Sequence, residues 1–292
     1  MNIAIVGKDS YIGTSFEKHM LNSGDYNIIT IDSRNTPVEN MDFTNIDVVL
    51  HVAGIAHVSA KKNMKDLYFK VNRDLAINTA LKAKQDGVKQ FIFMSSMIIY
   101  GDDAKIGKTK VITKDTIPNP SNAYGQSKLE ADHYIQSLND DNFKTVVIRT
   151  PMVYGPNCKG NFPRLVKLAL RMPFFPNIKN ERSMIYIYNL CELLKIIIEY
   201  KEFGAFYPQN SEYVSTVDIV KIVREMNNKK VRFTRIFNTL IKIASIFINT
   251  FNKVFGNKIY NEELSSCFDN HYNIVSFSDS LREIYNVEKD NK

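Results

Sequence analysis

Tyr124 and Lys128 stand four residues apart in the stretch Tyr124-Gly125-Gln126-Ser127-Lys128. On a helix that spacing puts both side chains on one face, one turn apart, so the ammonium can reach toward the phenol. A free phenol titrates near pH ~10, too high for a base at neutral pH. A lysine ammonium and a positively charged nicotinamide ring both favour the phenolate, bringing the group toward the range that general acid–base catalysis needs. A lone Tyr-x-x-x-Lys carries almost no information, because chance produces it in most chains of this size. Here it has partners in order: a glycine-punctuated turn at Gly7 and Gly13, an acidic residue at Asp32, and the pair Ser95-Ser96 ending an apolar strand. The set describes a site where a tyrosine hydroxyl trades a proton while a dinucleotide trades a hydride. Ser96 would hydrogen-bond and orient the substrate oxygen.

These residues need a scaffold that delivers them to one place. Asn2-Ile3-Ala4-Ile5-Val6 is a short apolar run suited to a buried parallel strand. Gly7-Lys8-Asp9-Ser10-Tyr11-Ile12-Gly13 follows, then a helical pattern through Ile12, Phe16 and Met20 that closes at Gly24. The first glycine permits a tight turn, and the last lets the helix pack closely on the strand. Amides at the helix N-terminus then face a pyrophosphate. A second apolar strand over 26–31 ends at Asp32, where a carboxylate is expected to hold the adenosine ribose hydroxyls. Arg34, two residues on, is the competing feature, since an arginine there could clamp a 2′-phosphate. The stretch from Asp32 to Asp42 is too short for a full helix, so the second crossover is truncated and the adenine side of the site, with Asp42 at its end, must differ from the usual pattern. Further strands are expected over 47–51, 90–94 and 145–148, with helices over 72–84 and 124–138. The alternation is that of a doubly wound parallel sheet.

The motifs resemble those of the extended short-chain dehydrogenase/reductases, the NAD-dependent epimerase/dehydratase group acting on nucleotide sugars. Its Gly-x-x-Gly-x-x-Gly is similar to the turn here, with Ser10 at the middle position, tolerable where φ stays negative. The resemblance assigns His51-Val52-Ala53-Gly54 to the end of a strand touching the cofactor through Ala53 and Gly54, and Asn72 to a structural helix position. It also covers Ser95-Ser96-Met97-Ile98-Ile99-Tyr100-Gly101, Arg149-Thr150-Pro151-Met152-Val153-Tyr154-Gly155-Pro156 and Arg182-Ser183-Met184-Ile185-Tyr186-Ile187. It implies that Gly7, Ser10, Tyr11, Ile12, Gly13, Asp32, Arg34, Asp42, Ala53, Gly54 and Lys128 serve a dinucleotide, NAD(H) or NADP(H) with NAD preferred. Tyr124, Lys128 and Ser96 form the catalytic set, and Asn161, Arg182, Ser96 and Tyr124 face the substrate, Arg182 at the diphosphate. Met152 replaces an asparagine that contacts substrate in relatives. Met97-Ile98 stands where the 4,6-dehydratases carry Asp-Glu, so dehydration is not expected.

The implied architecture is a Rossmann-type α/β domain over 1–155 and a smaller substrate lobe over 156–292. Asn161-Phe162 and Phe174-Phe175 are candidate pocket walls, with plain core the commoner fate of such aromatics. Cys158, Cys191 and Cys267 are widely spaced and odd in number, which suits reduced thiols. His51 and His57 read as structural or substrate-facing rather than as metal ligands, and no metal site is expected. The N-terminus runs directly into a strand, and a cytoplasmic enzyme is the expectation. The net charge of +7 comes without arginine-rich runs, so nucleic acid is not expected; the diphosphates of dinucleotide and nucleotide sugar are partners enough. Between Lys229 and Lys258 no acidic residue occurs, while 236–255 is rich in Ile, Leu and Phe. Packing in the lobe or at a subunit contact is the first reading there, with an interfacial basic helix on a membrane surface as the lesser one. Residues 288–292 read as a frayed polar tail. The family pattern implies a homodimer through the helices carrying Asn72 and Tyr124.

Three functions fit these residues. The favoured one is a 4-ketoreductase of a UDP-4-keto-6-deoxy-N-acetylhexosamine from surface-polysaccharide synthesis, suggested by the similarity of Cys158-Lys159-Gly160-Asn161-Phe162 and Asn180-Glu181-Arg182-Ser183 to a capsule and O-antigen subgroup. The alternative is a UDP-sugar C4 epimerase with tightly held NAD. A non-catalytic dinucleotide sensor is the third; sensors commonly lose the tyrosine or the lysine, and this chain keeps both.

Overall fold

The computed structural model describes residues 1–21, 24, 26–56 and 64–290, with side chains up to 284. The chain divides into two compact units. The first comprises Met1–Gly101, Ile117–Pro151 and Ile187–Pro208, and the second Asp102–Thr116, Met152–Tyr186 and Gln209–Lys292. The division expected from sequence was a single cut after residue 155. The units instead interleave, with 102–116 in the second and 187–208 in the first.

In the first unit six strands form one parallel sheet: β1 (Asn2–Val6), β2 (Asn27–Ile31), β3 (Val48–His51), β4 (Gln90–Ser96), β5 (Lys144–Thr150) and β6 (Gly204–Phe206). Their spatial order is β6-β5-β4-β3-β1-β2. Ile3 pairs with both Ile28 and Val48, and Ser96 pairs with Thr150. The inner strands β1, β3, β4 and β5 are buried on both faces because helices cover both, whereas the edge strand β2 is largely exposed. On one face Ala4, Val6, Val49, Phe91, Phe93 and Val147 pack with Ala76, Ala80 and Ala83 of α2 (Leu75–Gln85), and with Ala131 and Ile135 of α3 (Ala123–Ser137). On the other, α1 (Tyr11–Leu21) lies over Ile5 and packs against α4 (Ile187–Glu199). The sheet order reverses at β1, which has β2 on one side and β3 on the other. In open α/β sheets ligands bind in the crevice at such a point, beyond the carboxyl ends of the strands.

Two local departures bear on the site. Between β2 and β3 the crossover contains only a 3₁₀ turn, Val38–Asn40, so the chain adds no strand outside β2 and returns at once to the other side of β1. Before α2, where one helix over 72–84 was expected, the chain makes an α turn at Met64–Tyr68 and a π-helical segment at Phe69–Asp74. Such π segments are rare and cluster at functional sites; this one carries the buried Asn72.

The second unit holds helices Asn161–Arg171, Thr216–Met226, Asn238–Phe247 and Asn249–Phe255, with three two-stranded parallel pairs. Its core includes Tyr154, Tyr186, Tyr260, Tyr272 and Phe175, all fully buried. Phe162 and Phe175, considered as pocket walls, belong to this core: the Phe162 ring lies 5.2 Å from that of Tyr154, and Phe175 5.9 Å from Phe255. No helix among the described residues is long and apolar enough to cross a membrane.

Candidate active site

β1 runs into Gly7, whose φ of +125° suits glycine and strains any other residue. A Cβ there would lie 2.7 Å from the Ala53 amide nitrogen. At Gly13 a Cβ would lie 2.6 Å from Ser10 Oγ and 2.9 Å from Ile5 Cγ2. The turn therefore closes on the end of β3, and α1 closes on β1, with no room for side chains at either contact. Tyr11 and Ile12 open α1. Ser10 stays out of the positive-φ region, which Asp9 takes instead at 61°. The Ser10 hydroxyl accepts from the Gly13 N–H at 3.2 Å, so serine in place of the middle glycine caps the helix. A hollow lined by Gly7, Lys8, Asp9, Gly13 and Thr14 lies at this turn.

At the end of β2 the Asp32 carboxylate accepts from Arg34 Nε at 3.0 Å, the Arg34 amide at 3.1 Å and Asn35 Nδ2 at 2.9 Å. The Arg34 side chain and amide hold this carboxyl below the usual range. Arg34 also reaches Asp9 at 3.2 Å, so its charge already faces two carboxylates. Asp42 is exposed beyond the 3₁₀ turn, and its hydrogen bonds with Thr44 lower its carboxyl in the same way. Ala53 donates its N–H to Val6 O at 2.9 Å. Gly54 is the third close approach, since a Cβ there would sit 3.1 Å from Asn72 Oδ1 and 3.4 Å from Lys128 Nζ. Asn72 holds this loop through both backbone groups of Ile55, at 2.8 and 3.0 Å. The glycine cradle at a helix N-terminus, the carboxylate after β2 and Gly54 against a lysine fit a dinucleotide. The 7–13 turn would hold its pyrophosphate, Asp32 the adenosine ribose and Lys128 the nicotinamide ribose.

Tyr124 and Lys128 sit one turn apart in α3, whose N-cap Asn122 accepts from the Gly125 N–H at 2.9 Å. Tyr124 is half-buried, hydrogen-bonded to Ser96, and its ring lies 5.7 Å from that of Tyr68. Burial pushes the phenol up, Ser96 pulls it down and Tyr68 raises it slightly. The lowering expected from Lys128 is not among these influences. Its ammonium is turned to the Met94 carbonyl at 2.7 Å and lies 4.5 Å over the Phe93 ring. Burial pushes Lys128 itself down to about 8, against the pull of Asp132. The two serines separate cleanly: Ser96 faces Tyr124, while Ser95 donates to Asp132 at 2.6 Å. His51, at the end of β3, is wholly buried near Phe91 and Phe93, and burial holds it neutral with a pKa of about 3. That is the structural role. His57 lies outside the described residues.

Asn161 and Arg182 belong to the second unit. Asn161 is the exposed first residue of its helix. Arg182 is mostly buried, donating to the Asp103 carboxylate and the Lys253 carbonyl. Sequence reasoning missed Tyr68 and, beneath the first unit's site, an ionic network. In that network the Asp132 carboxylate accepts from Arg149 Nε at 3.1 Å, Arg149 Nη2 at 2.8 Å and Gln136 at 2.6 Å, as well as from Ser95. Arg149 also donates to the hydroxyls of Tyr100 and Tyr207, each at 2.8 Å. A signal existed: Tyr124, Lys128 and Asp132 recur every four residues along one face of α3.

The cofactor end yields a direct expectation. Arg34 is engaged by Asp9 and Asp32, so a 2′-phosphate meets a carboxylate pair rather than an uncommitted cation. NADH should bind roughly tenfold or more tightly than NADPH, a difference of about 1.4 kcal/mol, as measured by calorimetry. A clear preference for NADPH would mean that Arg34 outweighs Asp32.

The profile of the NAD dependent epimerase/dehydratase family matches residues 3–207. The chain is 33% identical over 223 residues to the UDP-glucose 4-epimerase of Vibrio cholerae, covering 73% of this chain and 67% of that protein. It is 30% identical over 194 residues to a dTDP-D-glucose 4,6-dehydratase of Dictyostelium discoideum, covering 60% of this chain and 44% of that one, so it spans less than half of that relative's length. Among solved structures, UDP-glucuronic acid 4-epimerase of Bacillus cereus with NAD shares the fold at TM-score 0.75 and 20% identity, covering 99% of each chain. With its glycine turn, Ser96, Tyr124 and Lys128 brought into one unit by that fold, the chain belongs to the NAD-dependent epimerase/dehydratase family.

Proposed function

We propose that this NAD(P)-dependent enzyme is a 4-ketoreductase of a nucleotide-linked sugar, taking a UDP-4-keto-6-deoxy-N-acetylhexosamine to its 4-hydroxy form in the synthesis of a surface polysaccharide. The observation carrying the reductase reading is the truncated crossover after β2. It leaves Asp32 and Arg34 at the edge of the sheet, with a single 3₁₀ turn in place of a covering helix. A dinucleotide with so little chain over its adenosine end exchanges readily, as a reductase that consumes its cofactor requires.

The bound cofactor supplies the hydride to C4. Ser96 hydrogen-bonds the C4 oxygen and fixes its position beside Tyr124. As hydride arrives the oxygen becomes an alkoxide, and Tyr124 delivers its proton there. Burial raises the phenol and the Ser96 hydrogen bond lowers it, and the group enters the step protonated, as a proton donor must. Lys128, anchored on Met94 O, lends positive charge to the same pocket. Met97 and Ile98, in the 3₁₀ turn after Ser96, offer no carboxylates for eliminating water. Arg182 would share its guanidinium between Asp103 and a substrate diphosphate, with Asn161 as a further polar contact. A cytoplasmic setting, where nucleotide sugars and NADH are both supplied, suits the reading, and so does a homodimer.

Supplied with the keto sugar and NADH, the enzyme should oxidise cofactor in one-to-one ratio with sugar reduced, followed by loss of reduced-nicotinamide absorbance. The identity with the Vibrio 4-epimerase favours a second reading, in which a retained cofactor takes the hydride and returns it to the other face. Interconversion of a UDP-sugar with its C4 epimer, leaving added dinucleotide unconsumed, would replace the reductase with that reading.

A further inference from the structure

The helix Asn238–Phe247 is amphipathic in the wrong sense for a packed element. Polar side chains tie this region to the second unit. Asn238 donates to the Asn177 carbonyl at 2.8 Å, and Asn252 donates to Ser245 O at 2.9 Å and accepts from the Ile106 amide at 3.3 Å. The apolar residues point away. Ile236, in the turn before the helix, is 81% exposed; within it Leu240 is 63%, Ile243 53% and Phe247 84%, at spacings that share one helix face. Among the described residues, seven of the twenty exposed large apolar side chains fall between 236 and 248. An apolar face of this kind marks an interaction surface.

Charge identifies the partner. From Lys229 to Lys258 there are seven lysines and arginines and no acid. The whole chain has 38 basic and 31 acidic residues, so outside this segment the two signs balance at 31 each. The excess of +7 thus equals the charge of this one segment; Lys258 is buried in a strand, while Lys230, Arg232, Arg235, Lys242 and Lys253 are all exposed. A protein partner of ordinary composition does not require such one-signed charge. A sheet of anionic headgroups over hydrocarbon does, since it takes apolar side chains into the acyl boundary and cations at its surface.

We propose that 236–248 is a membrane-docking face that seats the second unit on an anionic lipid bilayer, lying on the surface without crossing it. The cations bring the face to the headgroups, and Leu240, Ile243 and Phe247 then enter the interface. The surface is distinct from the residues that serve the dinucleotide, so docking neither needs turnover nor depends on which C4 reaction is catalysed.

Co-sedimentation with vesicles of equimolar phosphatidylglycerol and phosphatidylethanolamine tests this directly. The full chain should pellet with them, and at least tenfold less with phosphatidylcholine vesicles. Leu240→Ser with Phe247→Ser should cut the pelleted fraction tenfold or more, with thermal unfolding unchanged because both side chains are exposed. The chain has no tryptophan, so Phe247→Trp gives a clean reporter whose emission should shift to the blue on adding anionic vesicles. The proposal falls if the wild type stays in the supernatant with anionic vesicles, if the tryptophan reporter shows no shift, or if neutral vesicles bind equally well. It falls equally if sedimentation velocity shows a dimer that the double variant dissociates, because the face would then be covered by a second copy.

Discussion

Tyr124→Phe is expected to lower turnover by about 10²–10⁴, the range a positioned acid–base group contributes, while dinucleotide binding survives. The hydroxyl removed is the one hydrogen-bonded to Ser96, and the ring stays beside Tyr68, where phenylalanine fills the same space. Fold and cofactor cradle are therefore left intact, and what is lost is the proton donor. Single-turnover measurement in the presence of saturating cofactor separates this from a binding defect. Near-normal turnover in a well-folded variant would remove Tyr124 from the chemistry and leave Ser96 or a water as the proton source. Lys128→Met should behave differently, damaging cofactor affinity as well as rate, because its ammonium sits against Gly54 where the nicotinamide ribose is expected.

Asp132→Asn should destabilise the protein by about 3–5 kcal/mol, the usual cost of removing one partner of a buried ion pair. Asp132 is fully buried, and it accepts from Ser95, Gln136 and two nitrogens of Arg149, itself 7% exposed. Neutralising the carboxylate removes the counter-charge of a buried guanidinium that also donates to the neutral hydroxyls of Tyr100 and Tyr207. Urea unfolding monitored by circular dichroism reads the loss directly. The double variant Asp132→Leu with Arg149→Met should recover much of it, since burial then carries no unpaired charge. A loss below about 1 kcal/mol for the single variant, in the range typical of exposed pairs, would show that water reaches the pair. Lys128, one turn from Asp132 and drawn upward by it, should also lose protons more readily in Asp132→Asn.

The parallel sheet was legible because its inner strands are short runs rich in Ile, Val and Phe that alternate with helical patterns. The chemistry was legible because Tyr124, Lys128 and Ser96 lie at fixed offsets from element ends. Three things were not. The partner of Lys128 is a main-chain carbonyl, Met94 O, and backbone acceptors leave no mark in sequence. The division of labour between Ser95 and Ser96 follows from alternation along β4, which sends neighbours to opposite faces, but sequence does not say which face holds Tyr124. The segments at 102–116 and 187–208 change unit because of pairings across long separations, such as Thr109–Ile112 with Asn257–Tyr260. Local pattern carries no information on such pairings.

That interleaving has a consequence for how the protein is made. β6 at Gly204–Phe206 completes the edge beside β5, and α4 covers α1, yet both are translated after 152–186, which belong to the other unit. Gln90, at the start of β4, donates to the carbonyls of Ile197 and Glu202, acceptors that do not exist until those residues have left the ribosome. Domains commonly fold in order as they emerge, but this first unit cannot finish before more than two thirds of the chain is synthesised. Until then the nascent sheet has an unpaired β5 edge and a bare apolar flank on α1, which makes the interval between residues 151 and 208 the aggregation-prone window of its biosynthesis.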